Sequence, residues 1–179
     1  VGYTGPLHEG KGMGIIALLA KGAKAFDFHV VGGSTQQVEI WRKDAPSNLF
    51  TYGHVPHGEL GAYLAAFDIL IAPYRARTTI KTGVDISKWI SPMKIFEYMA
   101  ANKPIMASDL PVVREILTDG ENALLLSPSE PKAWIAALER LKDENLRNSL
   151  AARAHKDLQE KYTWSRRVIA ILKFVDKGN

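Results

Sequence analysis

The sequence contains no cysteine in its 179 residues. That absence excludes a disulfide framework and any thiolate metal site, and it fits a reducing compartment. No apolar run approaches the roughly 20 residues that span a bilayer. The opening residues Val1-Gly2-Tyr3-Thr4-Gly5 carry no basic segment followed by an apolar one, so no signal peptide is expected. The histidines are few and scattered (His8, His29, His54, His57 and His155) and form no His-x-x-x-His pair, so no metal centre is expected. A Gly-x-Ser-x-Gly elbow for nucleophilic catalysis is missing too. So are internal repeats, low-complexity segments and basic clusters interleaved with aromatics, and nucleic acid is not an expected partner.

What is present describes an ordinary globular chain. Apolar residues make up 46% and charged residues 23%, as in soluble domains. A single domain of this length buries about 70% of its unfolded surface and needs no staple. Lys and Arg number 23 against 19 Asp and Glu, a net charge of +4. So mild an excess suits a phosphate ligand, an anionic membrane surface or a plain solvated surface.

Along the chain, apolar runs of strand length alternate with helical patterns. Strands are expected near Val1–Tyr3, Phe26–Gly32, Leu49–Val55, Asp68–Tyr74, Pro104–Ser108 and Ala123–Ser127. Helices are expected near Met13–Ala25, Thr35–Lys43, Gly58–Phe67, Pro92–Ala101 and Pro111–Leu117. Continuous apolar strands between helices imply a parallel sheet covered on both faces. After the last strand the chain turns helical. Ser127 or Ser129 is expected to cap a helix carrying Trp134, Ile135, Leu138 and Leu141. A second helix covers about Glu144–Lys161, and Thr163 caps a third with Val168, Ile169, Leu172 and Val175 on one face. His29, inside an apolar strand, reads as a satisfied core residue. The longest unpatterned stretch is Arg75–Ile90.

Ligands of open parallel sheets bind at the C-terminal ends of the strands, which singles out two segments. The first is Gly5-Pro6-Leu7-His8-Glu9-Gly10-Lys11-Gly12, between a strand and a helix. Free amides at a helix start attract phosphate, and Lys11 adds a full charge. The run nearly matches a P-loop, but Gly12 replaces the Ser or Thr that holds magnesium, so an NTPase is not expected. On the residues alone, a flexible turn with a solvated lysine fits equally. The second is Ser91-Pro92-Met93-Lys94-Ile95-Phe96-Glu97. Ser91 as cap and Pro92 as first helical residue make a strong helix start. Lys94 then opposes the helix dipole unless an anion lies nearby. A surface Lys94–Glu97 pair is the alternative reading.

These segments, with His29-Val30-Val31-Gly32-Gly33, Asn48–Pro56, Asp68–Pro73, Pro92–Asp109 and Tyr162-Thr163-Trp164, resemble the C-terminal domain of group 1 (family 4-like) GT-B retaining glycosyltransferases across nearly the whole chain. The resemblance implies an α/β, Rossmann-like parallel sheet of about six strands with helices on both faces and a helical C-terminal end. It implies that residues 1–179 are the nucleotide-sugar-binding half, that about 163–179 form a helix crossing back, and that the N-terminal acceptor domain lies outside the chain. The function it implies is transfer of a sugar from a nucleoside-diphosphate-sugar to a saccharide or lipid-linked acceptor with retention, as a hexosyltransferase. Polysaccharide biosynthesis is the implied setting.

Residue by residue, the resemblance implies donor phosphate at Gly5, Lys11, Met93 and Lys94, ribose at Glu97, and the base at backbone groups of Tyr52, Gly53, His54 and Val55. Lys11 and Glu97 are the implied catalytic pair. No cofactor and no metal are implied. Two positions depart from the family. Trp89 stands where its first motif glutamate belongs, with Asp85 as a stand-in. Pro6 replaces its phosphate-binding arginine, which Arg75, Arg77 or Lys94 would replace. A nucleotide-sugar epimerase and a non-catalytic binding module are the alternatives. The expected location is cytoplasmic, with peripheral membrane contact in the full-length protein, and the isolated domain is expected to be inactive.

Overall fold

The computed structural model describes residues 1–7, 12–75 and 92–176. Lys11, Arg77, Asp85, Trp89 and Ser91 lie outside them. Six strands form one sheet: β1 (Gly2–Thr4), β2 (Phe28–Val31), β3 (Leu49–Gly53), β4 (Leu70–Ala72), β5 (Ile105–Ser108) and β6 (Leu124–Leu126). Their order is β3-β2-β1-β4-β5-β6, and every pairing is parallel. This is the expected Rossmann-like sheet, as found in the C-terminal domains of GT-B glycosyltransferases.

Alternate residues of each strand feed two cores, as the pleat requires. On one face Phe28, Val30, Ile69 and Ile71 meet Met13, Ile16 and Leu19 of α1 (Met13–Gly22), Val38 of α2 (Thr35–Arg42), and Trp134 and Leu138 of α6 (Pro131–Arg140). On the other, Val31, Leu70, Ala72 and Ala107 meet Leu64 of α3 (His57–Ala66), Ile95, Tyr98 and Met99 of α4 (Met93–Ala100), and Val112 and Val113 of α5 (Pro111–Arg114). The central strands are buried on both sides. The edge strand β3 alternates, with Leu49 and Thr51 buried and Phe50 and Tyr52 exposed.

The chain ends in α7 (Glu144–Lys161) and α8 (Trp164–Asp176). Asp143 caps α7 by accepting from the Asn145 and Leu146 amides. The Arg166 amide donates to Thr163 Oγ1 at 3.3 Å, the expected cap of α8. Ser127 and Ser129 cap nothing: their hydroxyls pair with each other at 2.9 Å, and α6 begins at Pro131 after Glu130. Trp134 Nε1 donates instead to the Ser127 carbonyl at 2.9 Å. The apolar side of α8 is open, with Trp164 78% and Phe174 81% exposed. Among the described residues, no helix is long and apolar enough to cross a membrane.

Candidate functional site

The strand order reverses direction between β1 and β4. Loops leaving two such neighbours diverge to opposite faces and open a crevice at the C-terminal edge. The crevice is bounded here by Thr4 and Gly5 after β1, and by Pro73 and Tyr74 after β4. Gly12, at the start of α1, has φ +89° and lies so close to the Pro73 carbonyl that a Cβ would overlap it. A glycine there lets the N-terminus of α1 sit directly against the end of β4.

Helix α4 is pinned over the same crevice by a buried phenol. The Thr4 amide donates to Tyr98 Oη at 2.9 Å, and Tyr98 Oη reaches the Ile71 carbonyl at 3.4 Å. One side chain thus ties α4 to β1 and β4 at once. Burial pushes the Tyr98 phenol up to about 12, against the bonds from Thr4, so it stays neutral. Pro92 is the cap residue of α4 and Met93 its first helical residue, one place later than expected.

Lys94, one turn before Tyr98 and on the same side of α4, reaches the first loop. Its Nζ lies 3.8 Å from the centroid of the Tyr3 ring and 5.7 Å from that of Tyr74. A Cβ on Gly5 would stand 2.9 Å from Lys94 Nζ. Gly5 and Lys94, 89 positions apart in sequence, are therefore neighbours at the crevice. Met93 is exposed. Cationic charge at the mouth of two helix N-termini is an anion-binding arrangement.

Glu97 is half-buried and lines a cleft of about 490 Å³ between α3 and α4, with His57, Gly58, Leu64 and Ala101. Its charge, after burial and Tyr98, adds to the upward push on the Tyr74 phenol. The segment Gly53-His54-Val55 leads from β3 into α3 and so into the wall of that cleft. Tyr52 turns away from it. Its hydroxyl pairs with His29 Nδ1 at 2.7 Å, and its ring stacks on His29 at 5.8 Å. His29 is satisfied, as expected, but only partly buried. Both residues line a larger cleft of about 680 Å³ with Asp27 and Asp68. That cleft opens at the N-terminal ends of the strands, away from the crevice.

Sequence reasoning did not single out Tyr3, Tyr74 or Tyr98. The available signal was their position: Tyr3 and Tyr74 close two strands that flank the reversal, and Tyr98 follows Lys94 by four.

A family model described as "Glycosyl transferases group 1" matches residues 1–144. An uncharacterized glycosyltransferase of Methanocaldococcus jannaschii is 24% identical over 181 residues, covering 98% of this chain and 47% of its own. The chain thus spans about half the length of that relative. Among solved structures, the C-terminal domain of a group 1 glycosyl transferase family protein (LpcC) from Francisella tularensis superposes with TM-score 0.71 at 18% identity. That match covers 91% of this chain and 86% of the other. Anabaena HepE in complex with UDP-glucose gives TM-score 0.76 at 17% identity, covering 97% and 48%. At these identities the likeness shows the fold.

Proposed function

The chain belongs to the group 1 glycosyl transferases, and on that basis we propose that it is the donor-binding, C-terminal half of an enzyme that moves a hexose from a nucleoside-diphosphate-sugar to an acceptor with retention at the anomeric carbon. The acceptor and the rest of the cleft belong, in this proposal, to an N-terminal domain outside the chain, and α8 crosses back to cover part of it. A saccharide or lipid-linked acceptor follows from the family resemblance, as does a cytoplasmic site of action with peripheral membrane contact.

One observation carries the reading: an ammonium, Lys94 Nζ, stands beside Gly5 at the β1/β4 reversal, where an open parallel sheet receives its ligand. As the glycosidic bond breaks, charge builds on the departing diphosphate. Groups already aimed at that charge lower the barrier without reorganising. In the proposal Lys94, Lys11 and the starts of α1 and α4 take that role, with Gly5 and Met93 lining the phosphate and no metal required. Glu97 holds the ribose hydroxyls from its cleft, and backbone groups of Tyr52, Gly53, His54 and Val55 read the base. That Anabaena HepE, of the same fold, was solved with UDP-glucose favours this class of donor.

Calorimetric titration of the chain with UDP, GDP and ADP tests the donor site. At least one should bind, and Lys94→Ala should weaken it about tenfold, the loss of one charge-assisted contact. Glu97→Ala should weaken the ribonucleotide but leave its 2′,3′-dideoxy analogue unchanged. Absence of heat with all three, or indifference to Lys94 and Glu97, sinks the reading. Retention is read from the anomeric configuration of the product made by the full-length protein.

A further inference from the structure

A lysine in the first turn of a helix is unfavourably placed, because its charge opposes the dipole by about 0.3–1 kcal/mol. In α4 that lysine is held by aromatic faces. Lys94 Nζ lies 3.8 Å above the Tyr3 ring and 5.7 Å from the Tyr74 ring, both within range of a cation–π attraction.

The two rings are themselves fixed. Tyr3 and Tyr74 are buried. The Tyr3 hydroxyl donates to the Pro6 carbonyl at 3.0 Å, and Ser108 Oγ donates to the Tyr74 carbonyl at 2.6 Å. Burial pushes both phenols well above their ordinary value, so neither becomes a phenolate beside the ammonium. The rings come from the ends of β1 and β4, one from each side of the reversal.

Aromatic faces differ from a carboxylate in one respect that matters here. A carboxylate would hold the ammonium and cancel its charge. A ring quadrupole holds it and leaves the full unit charge for another anion. A free lysine also loses about 2 kcal/mol of rotamer entropy when it is fixed, and fixing it beforehand removes that cost from ligand binding.

We propose that Tyr3 and Tyr74 are positioning residues for the donor: they clamp the Lys94 ammonium between their rings and present it, un-neutralised, to the diphosphate of the nucleotide-sugar. This rests on the reading of Lys94 as a phosphate contact. The clamp adds the means by which that contact is aimed, and it accounts for the placement of a cation at a helix N-terminus. Gly5 completes the arrangement, since a side chain there would meet the ammonium.

The test is calorimetric titration of the full chain with UDP, GDP and ADP and with their nucleosides. Tyr3→Leu and Tyr74→Leu should each weaken the diphosphate about fivefold while leaving the nucleoside unchanged. Tyr3→Phe should retain most of the affinity that Tyr3→Leu loses. Replacing the Tyr3 ring by phenylalanine and then by ring-fluorinated phenylalanines drains the quadrupole at nearly constant shape, and diphosphate affinity should fall step by step along that series. In a Lys94→Ala background the same changes should have no further effect. Should Tyr3→Leu fail to fold, the fluorinated series and Tyr74→Leu decide the matter. Affinity that ignores ring fluorination and Tyr74→Leu overturns the clamp while leaving the phosphate contact intact. Affinity that ignores Lys94→Ala overturns the reading beneath it.

Discussion

The backbone amide of Thr4 and the phenol of Tyr98 meet at 2.9 Å inside the molecule, and this bond sets where α4 lies over the sheet. Tyr98 is fully buried, and the Thr4 hydroxyl also approaches it, at 3.3 Å. Tyr98→Phe preserves the ring and its packing but removes the acceptor. The Thr4 amide would then be buried unpaired, at a cost of about 1–3 kcal/mol. Urea unfolding should show a lowered midpoint with an unchanged slope. Diphosphate affinity should fall as well, because Lys94 rides on the same helix. An unchanged midpoint would mean that packing alone holds α4.

Gly5 joins backbone and side-chain requirements in one residue. Its φ of +135° is disfavoured for residues with a Cβ, and its missing Cβ leaves the space that Lys94 Nζ occupies. Gly5→Ala should therefore cost about 1–3 kcal/mol in strain and displace the ammonium. Diphosphate binding should weaken by about tenfold, while the nucleoside binds as before. Calorimetry on a variant whose circular dichroism matches the parent separates the two effects. Full diphosphate affinity in that variant would show that the position of Lys94 is not used.

Much of this architecture can be read without coordinates, for a physical reason. A parallel strand covered on both faces must be apolar at every position, so Phe28–Val31 and Leu70–Ala72 stand out as runs. Helix α7 follows from its spacing, and α8 from the hydroxyl of Thr163. What the pattern misses depends on distance in sequence. Tyr98 reads as one more apolar residue on a helix face, because its hydrogen-bond partner lies 94 positions away. Lys94 reads as a misplaced cation because the rings that receive it, Tyr3 and Tyr74, come from two other strands. The two serines before α6 fit a capping rule, yet each satisfies the other, which leaves the helix to start at Pro131. Exposed aromatics escape composition in the same way: Trp164 counts as core by residue type but faces outward.

Asp157 ties α7 to the turn that precedes β6. Its carboxylate accepts from Lys161 Nζ at 2.7 Å, Asn122 Nδ2 at 2.9 Å and Arg153 Nε at 3.2 Å, and Asn122 in turn accepts from the Thr118 amide. Burial raises the affinity of the carboxyl for a proton, but the three donors outweigh it and hold Asp157 below the usual carboxylate range. A group depressed in this way stabilises the fold above its unfolded value, about 3.9. That contribution is lost as pH falls through the folded value. Asp157→Ala should cost about 1–3 kcal/mol at neutral pH. In urea melts the gap to the parent should narrow between about pH 5 and pH 2. A gap that stays constant across that window would mean that the charge on Asp157 contributes nothing.

The open side of α8 makes the last prediction, which bears on how the chain fits a longer protein. Val168, Ile169, Ile171 and Leu172 are exposed together with Trp164 and Phe174, and Arg166, Arg167 and Lys173 belong to the same helix. A contiguous apolar face of this kind marks a surface that binds something. Here the proposed occupant is the missing half of the enzyme, since the archaeal relative is about twice as long. Leu172→Glu should leave the stability of this chain within about 0.5 kcal/mol of the parent, as surface substitutions do. In the full-length protein the same change should lower the unfolding midpoint and the transferase rate together. If the substitution destabilises the isolated chain instead, α8 packs on its own domain. If it leaves the full-length protein untouched but abolishes sedimentation with anionic phospholipid vesicles, the face belongs to a membrane surface and the crossing-helix proposal fails.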